Sequence, residues 1–436
     1  MTDAVATFEP MTTTPGQPER RTRARLRRLA IDLTPLRVSR DFRLVWSGLL
    51  ITSAGSQFTL VAVFVQVKDL TDSAAAVGAT GLAYVAGLVA GTLAGGAVLD
   101  AWDRRRLLMF AQVGLAAGSA ILLGGAIAGE PPLWLIYAGL AVLAASSAID
   151  GPTRSAMTPR LLGEPLMPAA QALNQVVWNT AALLGPAAAG LVVARWDVTV
   201  AYSIDLASIG CMFVAAALLH PMPPMAGDHG DTGLSAIREG FSFARRNRLI
   251  MSTFVIDLIA MIFGLPRALF PFLIVEQFHR TPEAIGLLFA APALGALLGA
   301  LTSGWTGRIR RQGLAVIVSV AAWGVSIAAF GLSGTWLWLG LTMLAIAGWA
   351  DVVSAIFRVT ILQMAAPDRL RGRLFGIHIL VVTGGPRLGD VEAGVVARLV
   401  SPTFSVVSGG IACVIGAGLV ALAYPELRRA RATDVA

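Results

Sequence analysis

The chain consists of long apolar stretches separated by short polar ones. Each stretch is long enough to cross a hydrocarbon core of about 30 Å as a helix, and a helix satisfies its own backbone polar groups in lipid. Windows of about 19 residues place the stretches at 44–67, 76–99, 107–128, 132–149, 166–192, 198–220, 250–275, 283–305, 313–332, 336–357, 377–399 and 402–424. The pattern predicts an all-α membrane protein with twelve transmembrane helices.

Polar segments divide the chain into five regions. The first region mixes Thr, Pro, Glu and Arg without an apolar period, which predicts disorder. The regions are a basic cytoplasmic N-terminus at 1–40, six helices at 41–220, a cytoplasmic central loop at 221–249, six further helices at 250–425 and a cytoplasmic tail at 426–436. The central loop is too short for an appended soluble domain.

Composition agrees with a membrane location. Hydrophobic residues make up 56% of the 436 residues and charged residues only 14%, which is too apolar for a soluble domain. The net charge of +8 comes from arginine clusters between the apolar stretches, which membrane orientation explains better than nucleic-acid binding. Cys211 and Cys413 both lie in apolar stretches, so we expect no disulfide, metal site or cofactor.

Arginine clusters all fall on one side of the predicted membrane if the N-terminus is cytoplasmic. They are RRTRARLRR, DRRR, FARRNR, GRIRR, DRLRGR and ELRRAR. The opposite side holds only Lys68, Arg195, Arg280 and, near its boundary, Arg398. Cationic loops tend to remain in the cytoplasm, so both termini are predicted to be cytoplasmic.

The two halves of the chain repeat several short patterns. The pattern SAI-xxx-T-xxx-M occurs at 147–157 and again at 354–364, and Gly-Pro occurs at 185–186 and again at 385–386. An arginine turn follows the second stretch and also the eighth. A nearly constant offset of about 200 residues predicts a parallel repeat, with two pseudo-symmetric six-helix lobes around a central cavity.

The stretch GGAVLDAWDRRR closes the second apolar segment and contains the predicted gate. A carboxylate here can pair with the arginines of the turn or with a helix N-terminus, and either contact breaks if the lobes part. The gating residues are Gly96, Asp100, Asp103, Arg104 and Arg105. The alternative is that the arginines only hold the loop in the cytoplasm.

These gating residues carry a resemblance to a known family. Gly96-xxx-Asp100-xx-Asp103-Arg104-Arg105 resembles the signature loop of the major facilitator superfamily, with Asp103 where Gly is usual. Together with DFRLVW, TDSAAAVG, GPTRSAMTPRLL and RGRLFG, it is similar to the branch that contains bacterial enterobactin exporters. The likeness covers about residues 40–425. It implies the major facilitator fold, a location in a bacterial inner membrane and a cytoplasmic lock formed by Asp100 with Arg104.

Glycine-proline pairs predict bends in two helices. Pro lacks the donor N–H and small residues let helices approach closely. The pairs are Gly185 and Pro186, followed by Gly190, and Gly385 and Pro386. The stretch GPAAAG resembles a motif of drug and proton antiporters in the superfamily, which favours export over import. The alternative is ordinary helix packing. An arginine usual in the fourth span of proton-coupled exporters is missing.

Ionisable residues inside apolar stretches are candidates for proton coupling, because they are costly in lipid and often mark a pathway. They are Asp257, Asp205, Asp351, Arg358, Asp390 and Glu392. Asp257 is the leading candidate, since Arg267 lies ten residues away, about 15 Å along a helix, and no nearer partner is expected. His378 is interpreted as a residue of the cytoplasmic helix end. The alternative is an ion-pair network that holds the helices together.

Polar and aromatic residues in the apolar stretches are candidates for a substrate cavity. Amide groups there can bond a substrate or a neighbouring helix, and aromatic rings can face an amphipathic substrate or pack. The candidates are Gln57, Phe58, Asn174, Trp178, Asn179 and Phe263.

Together these features predict a secondary exporter of a small amphipathic molecule, such as a siderophore or a drug, driven by proton antiport. The alternative within transport is an uncoupled lipid or metabolite facilitator. ATP-driven transport is excluded because the single lysine, Lys68, lies outside any Walker A pattern, and no enzyme motif is found. The expected partners are substrate, protons and membrane lipid, with no nucleic acid, and the expected state is a monomer.

Overall fold

The computed structural model describes residues 32–98, 102–223 and 234–431, and all regular structure within them is helical. The α-helices are α1 Thr34–Val38, α2 Arg40–Thr71, α3 Ala74–Val98, α4 Arg104–Ile127, α5 Leu133–Leu162, α6 Met167–Trp196, α7 Val198–Ala217, α8 Leu234–Arg246, α9 Arg248–Phe263, α10 Phe270–Glu276, α11 Ile285–Leu301, α12 Gln312–Gly331, α13 Leu337–Ala365, α14 Asp368–Leu399, α15 Pro402–Ala423 and α16 Pro425–Arg429. Short 3₁₀ turns lie at Glu164–Leu166, Arg267–Leu269, Pro282–Ala284 and Ser303–Arg308.

Ten helical segments in the described residues are long and apolar enough to cross a membrane. The prediction of an all-α, multi-pass membrane protein is therefore confirmed. Two other segments that the hydropathy pattern indicated fall short of the same criteria. Helix α11 is apolar but has only 17 residues, and α14 is 32 residues long but carries several charged side chains.

Polar residues at the ends of the apolar stretches cap the helices that follow. Ser39 accepts a hydrogen bond from the backbone N–H of Phe42 at the start of α2. The Asn247 side chain accepts from two backbone N–H groups at the start of α9. Each contact satisfies a donor that the first helical turn leaves free. These polar residues between the apolar stretches thus set where α2 and α9 begin.

The apolar segment expected at 250–275 is not one continuous helix. Helix α9 ends at Phe263, and the chain passes through Gly264 and Pro266 before the 3₁₀ turn and α10. Proline lacks a backbone N–H and restricts the residue before it, so a regular helix ends here. The interruption places Arg267 at the break, beside other helices.

Glycines allow close helix pairs in each half of the chain. A Cβ atom added at Gly87 of α3 would lie 2.1 Å from the carbonyl oxygen of Ala141 in α5. In the second half, a Cβ at Gly295 of α11 would lie 1.7 Å from the carbonyl oxygen of Ala345 in α13. The first half of the chain, 32–223, and the second half, 234–431, therefore repeat the same type of helix contact.

Close glycine contacts in two helix pairs help to join the halves. A Cβ at Gly81 of α3 would lie 2.1 Å from the carbonyl oxygen of Arg387 in α14, and one at Gly190 of α6 would lie 2.7 Å from the nitrogen of Gly286 in α11. Both contacts lie near the connections α2–α3, α6–α7, α10–α11 and α14–α15. We call this end of the molecule the contact end.

Candidate functional site

A cluster of charged side chains lies in the core of the second half. Asp257 of α9 faces Arg358 of α13, with 3.0 Å between Oδ1 and Nη1. Arg358 also reaches Asp351, which lies two turns earlier on the same side of α13, with 3.4 Å between Nη2 and Oδ1. The Nδ1 atom of His378 in α14 lies 3.5 Å from Oδ2 of Asp257. We call these four residues the α9–α13–α14 cluster.

Two expectations about this cluster were wrong. Asp257 was expected to lack a close partner, but Arg358 reaches it from another helix. His378 was interpreted as a helix-end residue, whereas its ring contacts the buried carboxylate. Spacing along one helix cannot show a partner on a neighbouring helix, and both errors have this cause. Asp351 and Arg358 are seven residues apart, and the structure brings them into contact.

Arg358 is the centre of the cluster. The side chains of Arg358 and Asp257 are only 3% and 1% exposed, so the ion pair is shielded from water. Neither oxygen of Asp257 accepts a hydrogen bond within the described residues, so the attraction is electrostatic rather than well-aligned hydrogen bonding. Removing one member of a buried pair costs about 3–5 kcal/mol. Asp351 is 35% exposed and connects the pair to the space beside it.

That space is a cavity of about 240 Å³ inside the second half. It forms beside the break after α9, next to Pro292 inside α11 and Pro386 inside α14. Broken helices that line a cavity commonly build transporter binding sites. Asp351 and Arg267 are the two charged residues among its lining residues, and the others are apolar or small.

A second charged group ties the two halves together. Asp390 Oδ1 of α14 accepts a hydrogen bond from the backbone N–H of Ala268 at 3.1 Å, and Oδ2 lies 4.0 Å from Arg387. Arg267 precedes Ala268 in the chain and so lies at the same turn. The Arg387 guanidinium stacks 4.3 Å from the ring centroid of Tyr84 in α3, a cation–π contact across the halves.

Several residues of this second group were not singled out from the sequence. Tyr84 carried no signal, because a tyrosine in an apolar stretch is ordinary. Arg267 did carry one, since it is a lone arginine within an apolar stretch. Asp390 and Glu392 were proposed for proton coupling, and the structure places Asp390 at the interface between the halves, with Glu392 half-buried on the same helix.

Asp205 lies apart from both groups, in the core of the first half. It is 3% exposed, and its Oδ2 atom accepts hydrogen bonds from Thr59 at 2.8 Å and Ser119 at 3.0 Å. These contacts join α7 to α2 and α4. The carboxyl group therefore bonds hydroxyls and links three helices.

We expect Asp205→Ala to destabilise the protein and Asp205→Asn to be tolerated. Alanine leaves two buried hydroxyls without their acceptor, which costs about 1–3 kcal/mol for each group, whereas the asparagine carbonyl still accepts from them. Thermal unfolding in detergent measures the difference. Equal unfolding temperatures for the two variants would contradict a structural role for these bonds.

The predicted gate residues make contacts inside the first half where the structure describes them. Asp103 caps α4 by accepting from the backbone N–H groups of Arg105 and Arg106. The backbone N–H of Arg104 donates to Met222 at 3.0 Å, and the Arg105 side chain donates to the carbonyl of Ala217. Gly96 belongs to α3, and Asp100 lies outside the described residues. The gating role stays a prediction.

The six predicted cavity residues are dispersed. Gln57 packs its side-chain stem against Gly185 of α6. Asn179 accepts a hydrogen bond from Gln175 at 3.0 Å, Trp178 is 52% exposed and Asn174 is half-buried. Phe58 and Phe263 pack against the main core. None of the six lines the cavity described above, so their contact with substrate also stays a prediction.

The two glycine-proline pairs lie at helix contacts. Gly185 and Pro186 are buried within α6, and the Pro186 carbonyl lies 2.7 Å from where a Cβ at Gly286 would be. A Cβ at Gly385 would lie 2.7 Å from the Met261 Cβ, so α14 packs closely on α9. Gly190 completes the contact between α6 and α11.

Known proteins match nearly the whole chain. Residues 30–436 match the profile of a family described as transmembrane secretion effector. The enterobactin exporter EntS of Citrobacter koseri is 29% identical over 406 residues, which cover 92% of this chain and 96% of the relative. EntS of Shigella boydii serotype 18 is 29% identical over 408 residues, with the same coverage.

Solved transporter structures share the fold. A bacterial homologue of the human lysosomal transporter Spinster superposes with a TM-score of 0.69, 14% identity and coverage of 89% of this chain and 98% of that one. A transporter of the POT family in complex with 5-aminolevulinic acid gives a TM-score of 0.70, 11% identity and coverage of 88% and 96%. The chain thus belongs to the transmembrane secretion effector family, a family of membrane transporters and not enzymes, in the enterobactin-exporter-like branch of the major facilitator superfamily.

Proposed function

We propose that the chain is a secondary exporter of a small amphipathic molecule of the siderophore class, driven by proton antiport. The observation that carries this proposal is a shielded ion pair, Asp257 with Arg358, joined through Asp351 to a cavity beside the helix break after α9. The relatives described as enterobactin exporters support export and suggest the substrate class.

The proposed architecture is twelve spans in two six-helix lobes. Helices α11 and α14 would bring the ten longer segments to twelve. Helix α11 is apolar, and α14 directs Arg387 toward α3 and His378 toward α9 rather than toward lipid. The lobes would rock about the cavity, closing at the contact end in one state and at the other end in the next. Asp100 with Arg104 is the proposed lock of that other end.

The coupling step uses Arg358 as a shared cation. While Asp257 is ionised, Arg358 is held between two carboxylates. When Asp257 takes a proton, its attraction for Arg358 falls, and Arg358 is left with Asp351 at the cavity wall. When Asp257 is protonated, Arg358 stays with Asp351, and Asp351 is not free to bind substrate. When Asp257 is ionised, it holds Arg358, and Asp351 can bind substrate. Proton entry therefore favours substrate release, and the two events can alternate. An uncoupled facilitator needs no such exchange.

Secretion by whole cells tests the proposed export. The chain is expressed in a bacterium that makes enterobactin but lacks its own exporter, and enterobactin is measured in the medium and in the cells. We expect the medium content to rise and the cell content to fall relative to an empty vector. Unchanged distribution, with the chain present in the membrane, would contradict enterobactin export.

Topology gives an independent check on the proposed inner-membrane location, with both termini cytoplasmic. Reporter fusions after residue 130, between α4 and α5, and after residue 236, in α8, are expected to report the periplasm and the cytoplasm respectively, because arginine clusters stay inside. The reversed pattern would contradict the orientation. Alkaline phosphatase and fluorescent-protein fusions at the same sites read the two compartments.

A further inference from the structure

The cavity in the second half has charged groups of opposite sign in its walls. On one side, Asp351 belongs to a group of two carboxylates and one guanidinium, with Asp257 and Arg358. Counting His378 as neutral, this side keeps one net negative charge. Asp351 Oδ1 is the atom near Arg358, and the side chain is 35% exposed, so its second oxygen remains a potential acceptor.

The other charged residue in the lining, Arg267, belongs to a group of side chains with a net positive charge. Asp390 accepts a hydrogen bond from the backbone N–H of Ala268, the residue after Arg267, and lies 4.0 Å from Arg387, so two arginines accompany one carboxylate and one net positive charge remains. The Nε atom of Arg267 is buried and has no hydrogen-bond partner within the described residues. A buried guanidinium donor without an acceptor is costly, and a ligand anion in the cavity would compensate the positive charge of Arg267, which lines the wall.

The remaining wall is apolar and includes a fixed aromatic ring. Trp323 Nε1 donates to the carbonyl of Gly264 at 2.8 Å, at the break after α9, so the indole is held in place. Gly348 and Pro386 also line the cavity and leave space beside that ring. At about 240 Å³ the cavity is smaller than the ~300–1,000 Å³ of drug-sized sites, so it fits one small aromatic group, such as an indole with a short side chain.

We propose that this cavity binds a dipolar aromatic group, with the anionic end at Arg267 and the cationic or hydrogen-bond-donating end at Asp351. The inference rests on the proposed export function and deepens it by naming the chemical class of the substrate, or of the part of it that enters the second half. A ligand with a charge of only one sign would leave one of the two charged groups in the cavity wall without a partner.

Three probes with the same indole ring separate the charges: tryptophan carries both charges, indole-3-propionate only the negative one and tryptamine only the positive one. Their equilibrium binding to the purified full chain in detergent is measured by microscale thermophoresis. A charge-assisted hydrogen bond contributes about 1.5–3 kcal/mol, so the wild type is expected to bind tryptophan about tenfold or more tightly than either singly charged probe. Equal affinity for all three probes would overturn the proposal.

Two substitutions assign the charges to their residues. Asp351→Asn is expected to weaken tryptophan and tryptamine about tenfold and to leave indole-3-propionate unchanged. Arg267→Gln is expected to weaken tryptophan and indole-3-propionate and to leave tryptamine unchanged. Uniform weakening of all three probes by both variants would also overturn the proposal.

Arg267→Lys covers the case in which Arg267→Gln does not fold, because lysine keeps the positive charge at the cavity wall. The Arg267→Lys variant is expected to keep the preference for tryptophan over tryptamine, and loss of that preference would count against the assignment of the anionic end. Binding is read without flux or gradient, so failure here is distinguishable from failure of export.

Discussion

Asp257→Asn is expected to reduce gradient-driven export at least about tenfold while the protein remains folded in the membrane. Asparagine cannot exchange a proton, so Arg358 would lose the partner whose charge changes during the cycle. The fold is expected to survive because Arg358 keeps Asp351 at 3.4 Å, and because a neutral side chain is less costly inside a membrane than a carboxylate. Efflux from proteoliposomes with an imposed pH gradient measures the effect.

Asp205→Asn is the matched control for this prediction. Asp205 is as deeply buried but accepts hydroxyl hydrogen bonds from Thr59 and Ser119, which asparagine can also accept. We expect this variant to keep gradient-driven export. The opposite ranking, with Asp205→Asn inactive and Asp257→Asn active, would transfer the coupling role to the first half.

Gly81→Ala is expected to open the contact end. The added Cβ would lie 2.1 Å from the carbonyl oxygen of Arg387, closer than atoms can pack, and the neighbour is backbone that cannot rotate away. Overpacking of this kind costs about 1–3 kcal/mol, which corresponds to a shift of about 5–150-fold between two states. Export should fall because one closed state becomes rare.

Spin labels at Asp72→Cys and Val400→Cys report the distance across the contact end, in a chain with Cys211→Ala to remove the exposed native thiol. Gly81→Ala is expected to lengthen the main distance. Gly87→Ala, on the same helix, clashes equally with Ala141 of its own half and should lower thermal stability without changing that distance. Gly384→Ala, where a Cβ meets open space, should change neither. An unchanged distance in Gly81→Ala would contradict the assigned contact.

The membrane-crossing helices could be predicted from the sequence because each apolar stretch meets the same local requirement of length and apolarity. A segment that fills a hydrocarbon core must be long, apolar and helical, and no partner needs to be known. The caps found at Ser39 and Asn247 are equally local, because each bonds backbone groups only a few residues away.

The candidate site could be predicted only in part. Asp257, Asp351 and Arg358 stood out as charges in apolar stretches, but the partner of Asp257 comes from a helix about 100 positions later in the chain. The hydropathy and spacing of residues along one chain do not show which helices pack together. The cavity was missed for the same reason, since it is assembled from α9, α11, α12, α13 and α14.

Coupling between export and protons is the central claim, and it is tested most directly in proteoliposomes loaded with enterobactin. Efflux is measured with and without an imposed pH gradient, for the wild type and for Asp257→Asn. The account predicts that the gradient accelerates efflux by the wild type and has no effect on the variant. Wild-type efflux at the same rate with and without the gradient would contradict antiport and indicate an uncoupled facilitator.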